Sequence, residues 1–207
     1  MDDPAKAKQY LEPKLTDLHD PAGLPGAQQA AKRIVQAVRD GQSIVIYGDY
    51  DVDGITASAI LWHMLKALGA VVSTYVPHRI EEGYGLNCEA ILQIAEQDKP
   101  LIVSVDCGIT AVAPAKTARD AGVDLIITDH HEFDADALPD AAALVHPRIA
   151  SGDNSAYPFG ELCGAGVAFK LAWEVARLHS GSDRLPAALR DLLMDLLSFA
   201  ALGTVAD

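Results

Sequence analysis

The sequence has few aromatic residues and no long hydrophobic run. Aromatic residues make up 6% of the chain, and no segment approaches the roughly 18 uninterrupted apolar residues of a membrane-spanning helix. Half of the 207 residues are nonetheless apolar, which is enough for one domain with a substantial core. The composition therefore predicts a globular domain with no membrane partner.

Cysteine is also scarce. Cys88, Cys107 and Cys163 are odd in number and lack the paired spacing of zinc sites. The first ten residues, MDDPAKAKQY, show no basic flank before an apolar run, so we expect no signal peptide. Both features predict reduced thiols and a cytoplasmic protein.

Basic residues are outnumbered by acidic ones. Sixteen Lys and Arg against 29 Asp and Glu give a net charge of −13. A domain that holds nucleic acid over a broad surface is usually basic. The charge therefore predicts that any binding of nucleic acid is confined to a small part of this chain or is supplied by another part of the protein.

Three aspartates stand close together in this acidic chain. Residues 44–47 predict a buried strand, and an apolar helical pattern begins just after Gly54. Between them, Asp49, Asp51 and Asp53 alternate with other residues, so in an extended segment their side chains project to one side. Carboxylates this close repel one another unless a cation lies between them. A divalent metal ion is the simplest such cation.

Three other interpretations of this stretch are open. Residues 49–54 match the opening of an EF-hand calcium loop, but the twelfth position is Ile60 rather than Glu, and a strand rather than a helix precedes. Residues 51–56, DVDGIT, resemble the nucleophile motif of haloacid-dehalogenase phosphatases, which use a phosphoaspartate. A solvated acidic turn is the third alternative.

Short strands alternate with helices along the chain. The patterns predict strands at 44–47, 71–76, 101–105, 124–128 and 142–145, and helices at 26–39, 55–68, 87–96, 110–121, 164–179 and 186–202, after an N-terminal arm at 1–25 with one short helix. Asn87 and Thr110 are predicted to cap their helices, Gly203 to end the last one, and 77–86 and 147–162 to form loops. Such alternation is typical of βαβ units. It predicts an α/β fold whose mainly parallel sheet carries helices on both faces.

Polar residues follow four of the predicted strands. They are Asp49, Asp51 and Asp53; His78 and Arg79; Asp106; and Asp129, His130 and His131. Ligands of parallel sheets bind beyond the carboxyl ends of the strands. Carboxylates with one or two imidazoles favour Mn²⁺ or Mg²⁺, and two such ions about 4 Å apart promote phosphoryl displacement. The sequence therefore predicts a metal site at this edge that hydrolyses a phosphate ester.

The adjacent histidines are predicted to have different roles, because neighbouring side chains leaving a strand point in different directions. We assign His130 to metal and His131 to the substrate phosphate, as a hydrogen-bond donor or proton source. Asp129 is placed to orient an imidazole. We interpret His19, His63, His146 and His179 as structural. Gly164-Ala165-Gly166 opens a helix and could present its amides to an anion, although close packing explains these glycines equally well.

These motifs resemble the DHH phosphoesterase superfamily. The resemblance rests on DHH at 129–131, GDYDVDG at 48–54 and VDCG at 105–108. PHR at 77–79, EGYGL at 82–86, LCGAGVAFKL at 162–171 and GTVAD at 203–207 are similar to its single-strand-specific exonuclease branch. Manganese pyrophosphatases of the superfamily carry a metal-binding His four positions before the first of the Asp pair. Tyr47 stands there in this chain, which favours the nuclease branch.

The resemblance implies a set of site residues. Asp51, Asp53, Asp106, His130 and Asp207 would hold two ions, Mn²⁺ or Mg²⁺, with Asp49 in an outer or shared role. Arg79, with His78 beside it, and the helix start at 164–166 would contact nucleic-acid phosphates.

The resemblance also implies a function and a domain plan. The expected activity is 5′ to 3′ exonucleolysis of single-stranded DNA in repair and recombination, alongside repair or replication partners. The alternatives are a phosphodiesterase for short oligonucleotides or small phosphoesters, and a non-catalytic replication scaffold. We expect an arm and helix at 1–42 and the catalytic metal-binding domain at 43–207. The branch's second (DHHA1-like) domain and oligonucleotide-binding domain are expected to be absent from this chain.

Overall fold

The computed structural model describes residues 10–79, 83–150 and 157–207. Within these ranges, five strands form one sheet: β1 (Ile44–Tyr47), β2 (Val72–Tyr75), β3 (Leu101–Val105), β4 (Leu125–Thr128) and β5 (Ala143–Val145). Their order is β2-β1-β3-β4-β5, and every neighbouring pair is parallel. The predicted α/β class is confirmed.

Six helices of eight or more residues cover the sheet in the described ranges. They are α1 (Ala27–Asp40), α2 (Val52–Ala67), α3 (Cys88–Ala95), α4 (Val112–Asp120), α5 (Gly164–Ser180) and α6 (Ala187–Ala206). Helices α1, α2, α5 and α6 pack on one face, and α3 and α4 cover the other. Every residue of β1, β3 and β4 is consequently buried, as expected for strands covered on both sides.

The strand order determines where a ligand can bind. The sequence of strands reverses direction between β1 and β3, which lie side by side with Tyr47 paired to Ser104. Loops leaving two such strands turn to opposite faces and leave a crevice at the carboxyl edge of the sheet. The segments after β1 and β3 carry the predicted aspartates.

Two predicted helix starts differ from the observed ones. Helix α2 begins at Val52 rather than at 55, because the Asp51 carboxylate accepts a hydrogen bond from the Gly54 amide at 2.8 Å and caps the helix. Thr110 was predicted to cap α4, but the helix begins at Val112 without a side-chain cap.

The end of α6 also differs from the prediction. The helix continues through Gly203 to Ala206, so this glycine is not a helix stop. A Cβ at position 203 would lie 2.4 Å from Asp53 Oδ1 and 2.6 Å from the Ala165 Cβ. Gly203 is therefore required for close packing of α6 against α2 and α5.

Parts of three predicted loops lie outside the described residues: 1–9 of the N-terminal arm, 80–82 of the loop after β2 and 151–156 of the loop before α5. The described part of the arm contains two 3₁₀ turns, Leu15–Asp17 and Pro21–Gly23. Among the helices that the structure describes, none combines the length and the apolar character needed to cross a bilayer.

Candidate metal centre

The segment after β1 folds tightly enough to bury two of its three aspartates. Asp49 is fully buried and Asp53 is 3% exposed, whereas Asp51 remains at the surface. The turn depends on Gly54, because a Cβ there would lie 2.6 Å from the Asp49 Cβ and 2.8 Å from the Asp49 nitrogen. Burial raises the pKa of Asp49, with a further contribution from the Asp51 charge.

Asp53 is held by the N-terminus of α5. Its Oδ2 accepts the Gly164 amide at 2.5 Å, and its Oδ1 accepts the Ala165 amide at 2.8 Å. The positive end of the helix therefore stabilises this carboxylate. On the other side, the missing side chain of Gly203 leaves the carboxylate room.

Asp106 follows β3 in an unusual backbone conformation. Its φ is +60°, a left-handed value that aspartate tolerates better than most residues with a side chain. Gly164 makes room for it, since a Cβ there would lie 2.5 Å from Asp106 Oδ1. Burial raises the pKa of Asp106 to about 7; Asp53 contributes to the increase, and His130 opposes it.

His130 points into the same cluster. Its Nε2 lies 3.2 Å from Asp106 Oδ1 and 3.6 Å from Asp53 Oδ2. Burial alone would lower the pKa of His130, but the carboxylate of Asp106 outweighs it and raises the pKa.

Three polar atoms in this cluster are buried without a hydrogen-bond partner among the described residues. They are Asp49 Oδ2, Asp106 Oδ1 and His130 Nε2. A buried polar atom without a hydrogen bond costs about 1–3 kcal/mol, and more if it is charged. A bound cation would satisfy all three, because each is a metal-ligating atom.

The structure brings all six predicted metal ligands together. Their ligand atoms form two groups, each within 4.8 Å: Asp49, Asp51 and Asp106; and Asp53, His130 and Asp207. A third group, which connects these two, consists of Asp106, His130 and His131. Asp106 belongs to two groups, as does His130. The donor set of carboxylate oxygens and imidazole fits one or two divalent cations that prefer oxygen ligands.

Asp129 engages His131 instead of joining these groups. Its Oδ1 lies 2.7 Å from His131 Nδ1 and accepts the amides of His130 and His131, while its Oδ2 accepts the Ile109 amide. Burial would raise the pKa of Asp129, but these hydrogen bonds lower it. The hydrogen bond to Asp129 in turn raises the pKa of His131 to about 9. A half-exposed, protonated imidazole therefore stands beside the metal cluster.

Tyr84 lies beside His131 and Tyr50 lies beside Tyr84, and neither was predicted as a site residue. The Tyr84 hydroxyl is 3.4 Å from His131 Nε2, and the Tyr84 ring meets the Tyr50 ring edge-on at 6.3 Å. The guanidinium of Arg79 lies over Tyr50 at 4.9 Å. Arg79 and His78 are both exposed. The position of Tyr50 between Asp49 and Asp51 could have indicated that this tyrosine lies at the site.

The amides at the start of α5, which were predicted to contact phosphates, have hydrogen-bond partners within the protein. The Gly164 and Ala165 amides donate to Asp53, and the Gly166 amide donates to the Cys163 sulfur at 3.4 Å. A phosphate contact of the Gly164 and Ala165 amides, which remains a prediction, would compete with Asp53. Gly164 is required because Asp106 packs against it.

Tyr47 lies in the core on the face of the sheet that α3 and α4 cover. It is fully buried, packs against Tyr75 on the opposite side of the sheet from α2, and its hydroxyl donates to the Gly85 carbonyl at 3.0 Å. A hydrogen bond from Asn87 completes this contact. Tyr47 therefore anchors the loop that carries Tyr84 and supplies no ligand.

The fold and the site together define a class of protein. It is a parallel α/β domain with a cluster of carboxylates and imidazoles, suited to divalent cations, at the crevice where the strand order reverses. The chain belongs to the DHH family: the family description "DHH family, N-terminal domain" matches residues 43–204.

Several known proteins are similar to this chain in sequence and in fold. The single-stranded-DNA-specific exonuclease RecJ of Bacillus subtilis is 44% identical over 207 residues, which are all of this chain and 24% of that protein. The crystal structure of an exonuclease RecJ bound to manganese is 40% identical with a TM-score of 0.71, covering 89% of this chain and 43% of that one. RecJ of Thermus thermophilus in complex with Mn²⁺ is 35% identical with a TM-score of 0.67, covering 90% of this chain and 25% of that one. The chain therefore spans about a quarter of the length of the Bacillus relative.

Proposed function

We propose that this chain is the catalytic part of a metal-dependent exonuclease that degrades single-stranded DNA from its 5′ end in repair and recombination. The observation that carries the proposal is the buried set of unpaired ligand atoms, Asp49 Oδ2, Asp106 Oδ1 and His130 Nε2. The similarity to RecJ proteins, two of them solved with manganese, supports it.

We infer that the site holds two ions, Mn²⁺ or Mg²⁺. The ligands would be Asp49, Asp51 and Asp106 in one group and Asp53, His130 and Asp207 in the other. When bound, the ions neutralise phosphate charge and activate water for in-line attack. Asp106 Oδ1 lies 3.2 Å from His130 Nε2, so the two groups adjoin at this pair of residues.

His131, oriented by Asp129, would contact the substrate phosphate. Asp129 fixes the ring of His131 and keeps it protonated at neutral pH, since the pKa of His131 is about 9. The exposed imidazolium can donate a hydrogen bond to a phosphate oxygen and a proton to the leaving oxygen. Asp129 would act through the two histidines that it holds.

The contact with the strand would be narrow. Arg79, held over Tyr50, and the neighbouring His78 are exposed and would meet phosphates of single-stranded DNA. The net charge of −13 argues against a broader grip by this chain. We further propose a cytoplasmic location and contacts with repair or replication proteins, as the function would require.

The proposal is tested by digestion of single strands carrying a label at the 5′ or the 3′ end, with Mn²⁺ or with EDTA. Early release of a labelled mononucleotide from the 5′ end alone, lost with EDTA and in Asp106→Asn, is expected. Release from the 3′ end, or hydrolysis that persists in Asp106→Asn, would refute the proposal. Cleavage of dinucleotides with none of longer strands would favour the alternative of a phosphodiesterase for short oligonucleotides.

The strength of the grip is measured separately, by fluorescence anisotropy of a labelled oligonucleotide in a salt series. Each neutralised phosphate contributes about 0.7 to the slope of log affinity against log salt concentration. With one or two phosphates contacted, we expect a slope of roughly 1 in magnitude. A slope of 4 or more would contradict the narrow contact.

A further inference from the structure

Two residues that follow β5 form hydrogen bonds with the main-chain carbonyls of His130 and His131. His146 is fully buried, and its Nε2 lies 2.9 Å from the His131 carbonyl oxygen. The guanidinium of Arg148 donates to the His130 carbonyl oxygen and pairs with Glu132. Both carbonyls therefore have a side-chain donor.

The environment of His146 fixes its tautomer and orientation. The Arg148 amide donates to His146 Nδ1 at 3.1 Å, so Nδ1 is the acceptor and Nε2 carries the proton that faces the His131 carbonyl. The Phe133 ring packs edge-on against the imidazole at 4.8 Å. His146 is thus held in place on three sides.

These hydrogen bonds lie beyond the end of β4, where strand pairing no longer fixes the backbone conformation. Strand β4 ends at Thr128, and the ladder to β5 reaches only the Asp129 amide, which donates to the Val145 carbonyl. Beyond that point Asp129 holds the amides of the two histidines, and the residues after β5 hold their carbonyls. The position of His130 Nε2 therefore depends on both sets of hydrogen bonds.

We propose that His146, assisted by Arg148, is a positioning residue that sets the placement of His130 for metal and of His131 for substrate. This inference rests on the proposed function, because it assigns a metal to His130. Residues that orient a metal ligand typically contribute 10- to 100-fold to metal affinity. His146 touches neither metal nor substrate and acts only through the main chain.

Two substitutions of His146 separate the hydrogen bond from the volume of the ring. His146→Leu fills the space but has no donor, whereas His146→Gln can place an amide nitrogen near the position of Nε2. We expect roughly 10- to 100-fold weaker Mn²⁺ binding by calorimetry in the Leu variant and recovery of most of this loss in the Gln variant. Turnover should fall in the same order, with KM changed less than kcat.

Val145→Ala is the matched control. It removes buried methyl groups from the neighbouring position of β5 and keeps the main-chain contact with Asp129. Its melting temperature should fall, while its Mn²⁺ affinity stays as in the wild type. If His146→Leu behaves like Val145→Ala, with lower thermal stability and wild-type Mn²⁺ affinity, the positioning role is wrong.

A second variant covers the case in which His146→Leu does not fold. Arg148→Met removes the donor to the His130 carbonyl from a partly exposed position, and it should weaken Mn²⁺ binding in the same direction by a smaller factor. Unchanged affinity in Arg148→Met would then overturn the inference. If the wild type itself binds no Mn²⁺, the proposed function fails first, and this result is distinguishable from the other two.

Discussion

Removing the charge of Asp106 should stabilise the protein when no metal is bound. The carboxyl is buried between Asp53 and His130, and burial is the main reason that its pKa rises from 3.8 to about 7. Above pH 7 the folded chain must therefore keep an unfavourable buried charge that the unfolded chain exposes to water. Asp106→Asn keeps the shape of the side chain and removes this cost.

The magnitude depends on pH, and its sign follows from proton linkage. Between pH 4 and pH 7 the folded state holds a proton on Asp106 that the unfolded state has released, so the stability of the wild type falls as the pH rises. At about 1.4 kcal/mol per pKa unit, the cost reaches about 4 kcal/mol at pH 8 and less than half of that at pH 5. For a chain of this size, relief of this cost raises the melting temperature by roughly 8 to 16 °C at pH 8.

The assay is thermal unfolding in EDTA at pH 5 and pH 8, then at pH 8 with Mn²⁺. Asp51→Asn is the matched control, because it makes the same chemical change at an exposed carboxylate, and asparagine also caps helices well. In EDTA we expect the melting temperature to rise in Asp106→Asn, mostly at pH 8, and to change little in Asp51→Asn. With Mn²⁺ the order should reverse, since the wild type gains stability from the ion and Asp106→Asn does not.

Two results would refute this reasoning. One is a melting temperature of Asp106→Asn in EDTA at pH 8 at or below that of the wild type. The other is an equal gain at pH 5 and pH 8, which would mean that the benefit of the substitution does not come from the buried charge.

The remaining predictions concern the same site. His131→Ala should keep Mn²⁺ affinity and lose turnover by roughly 10²- to 10⁴-fold, whereas His130→Ala should lose the affinity; equal losses by calorimetry in both would contradict the division. Mn²⁺ affinity should fall below pH 7, because the ion must displace the proton that the raised pKa keeps on Asp106; a flat pH profile would oppose this. Gly203→Ala should lower the free energy of unfolding by about 1–3 kcal/mol through overpacking, although alanine has the higher helix propensity. The control Ala201→Gly makes the opposite change at an exposed position and so measures the propensity difference alone. A Gly203→Ala variant more stable than the wild type would refute the steric account.

Local patterns predicted much of this fold. Apolar runs bounded by turn residues gave β1 and β3 with their observed bounds, and the Asn87 cap gave the start of α3. The convergence of ligands followed from topology, because the ends of parallel strands share one edge. Asp106 and His130 were placed in one cluster by this argument alone.

The missed features depend on contacts between distant parts of the chain. Asp53 accepts hydrogen bonds from Gly164, which is 111 positions away, and no local pattern shows that the amides of α5 are already occupied. Gly203 looked like a helix stop because its packing partners lie on other helices. His146 looked like an isolated structural histidine, since its contact with the His131 carbonyl forms only when β5 pairs with β4.

The hydrogen bonds between Asp53 and the start of α5 have a consequence for the order of assembly. A helix N-terminus carries the equivalent of about half a positive charge, and it is built into the backbone. The N-terminus of α5 therefore partly balances the negative charge of Asp53, which is one of several buried carboxylates. Folding can consequently precede metal uptake, unlike in small metal-dependent domains whose folding requires the ion.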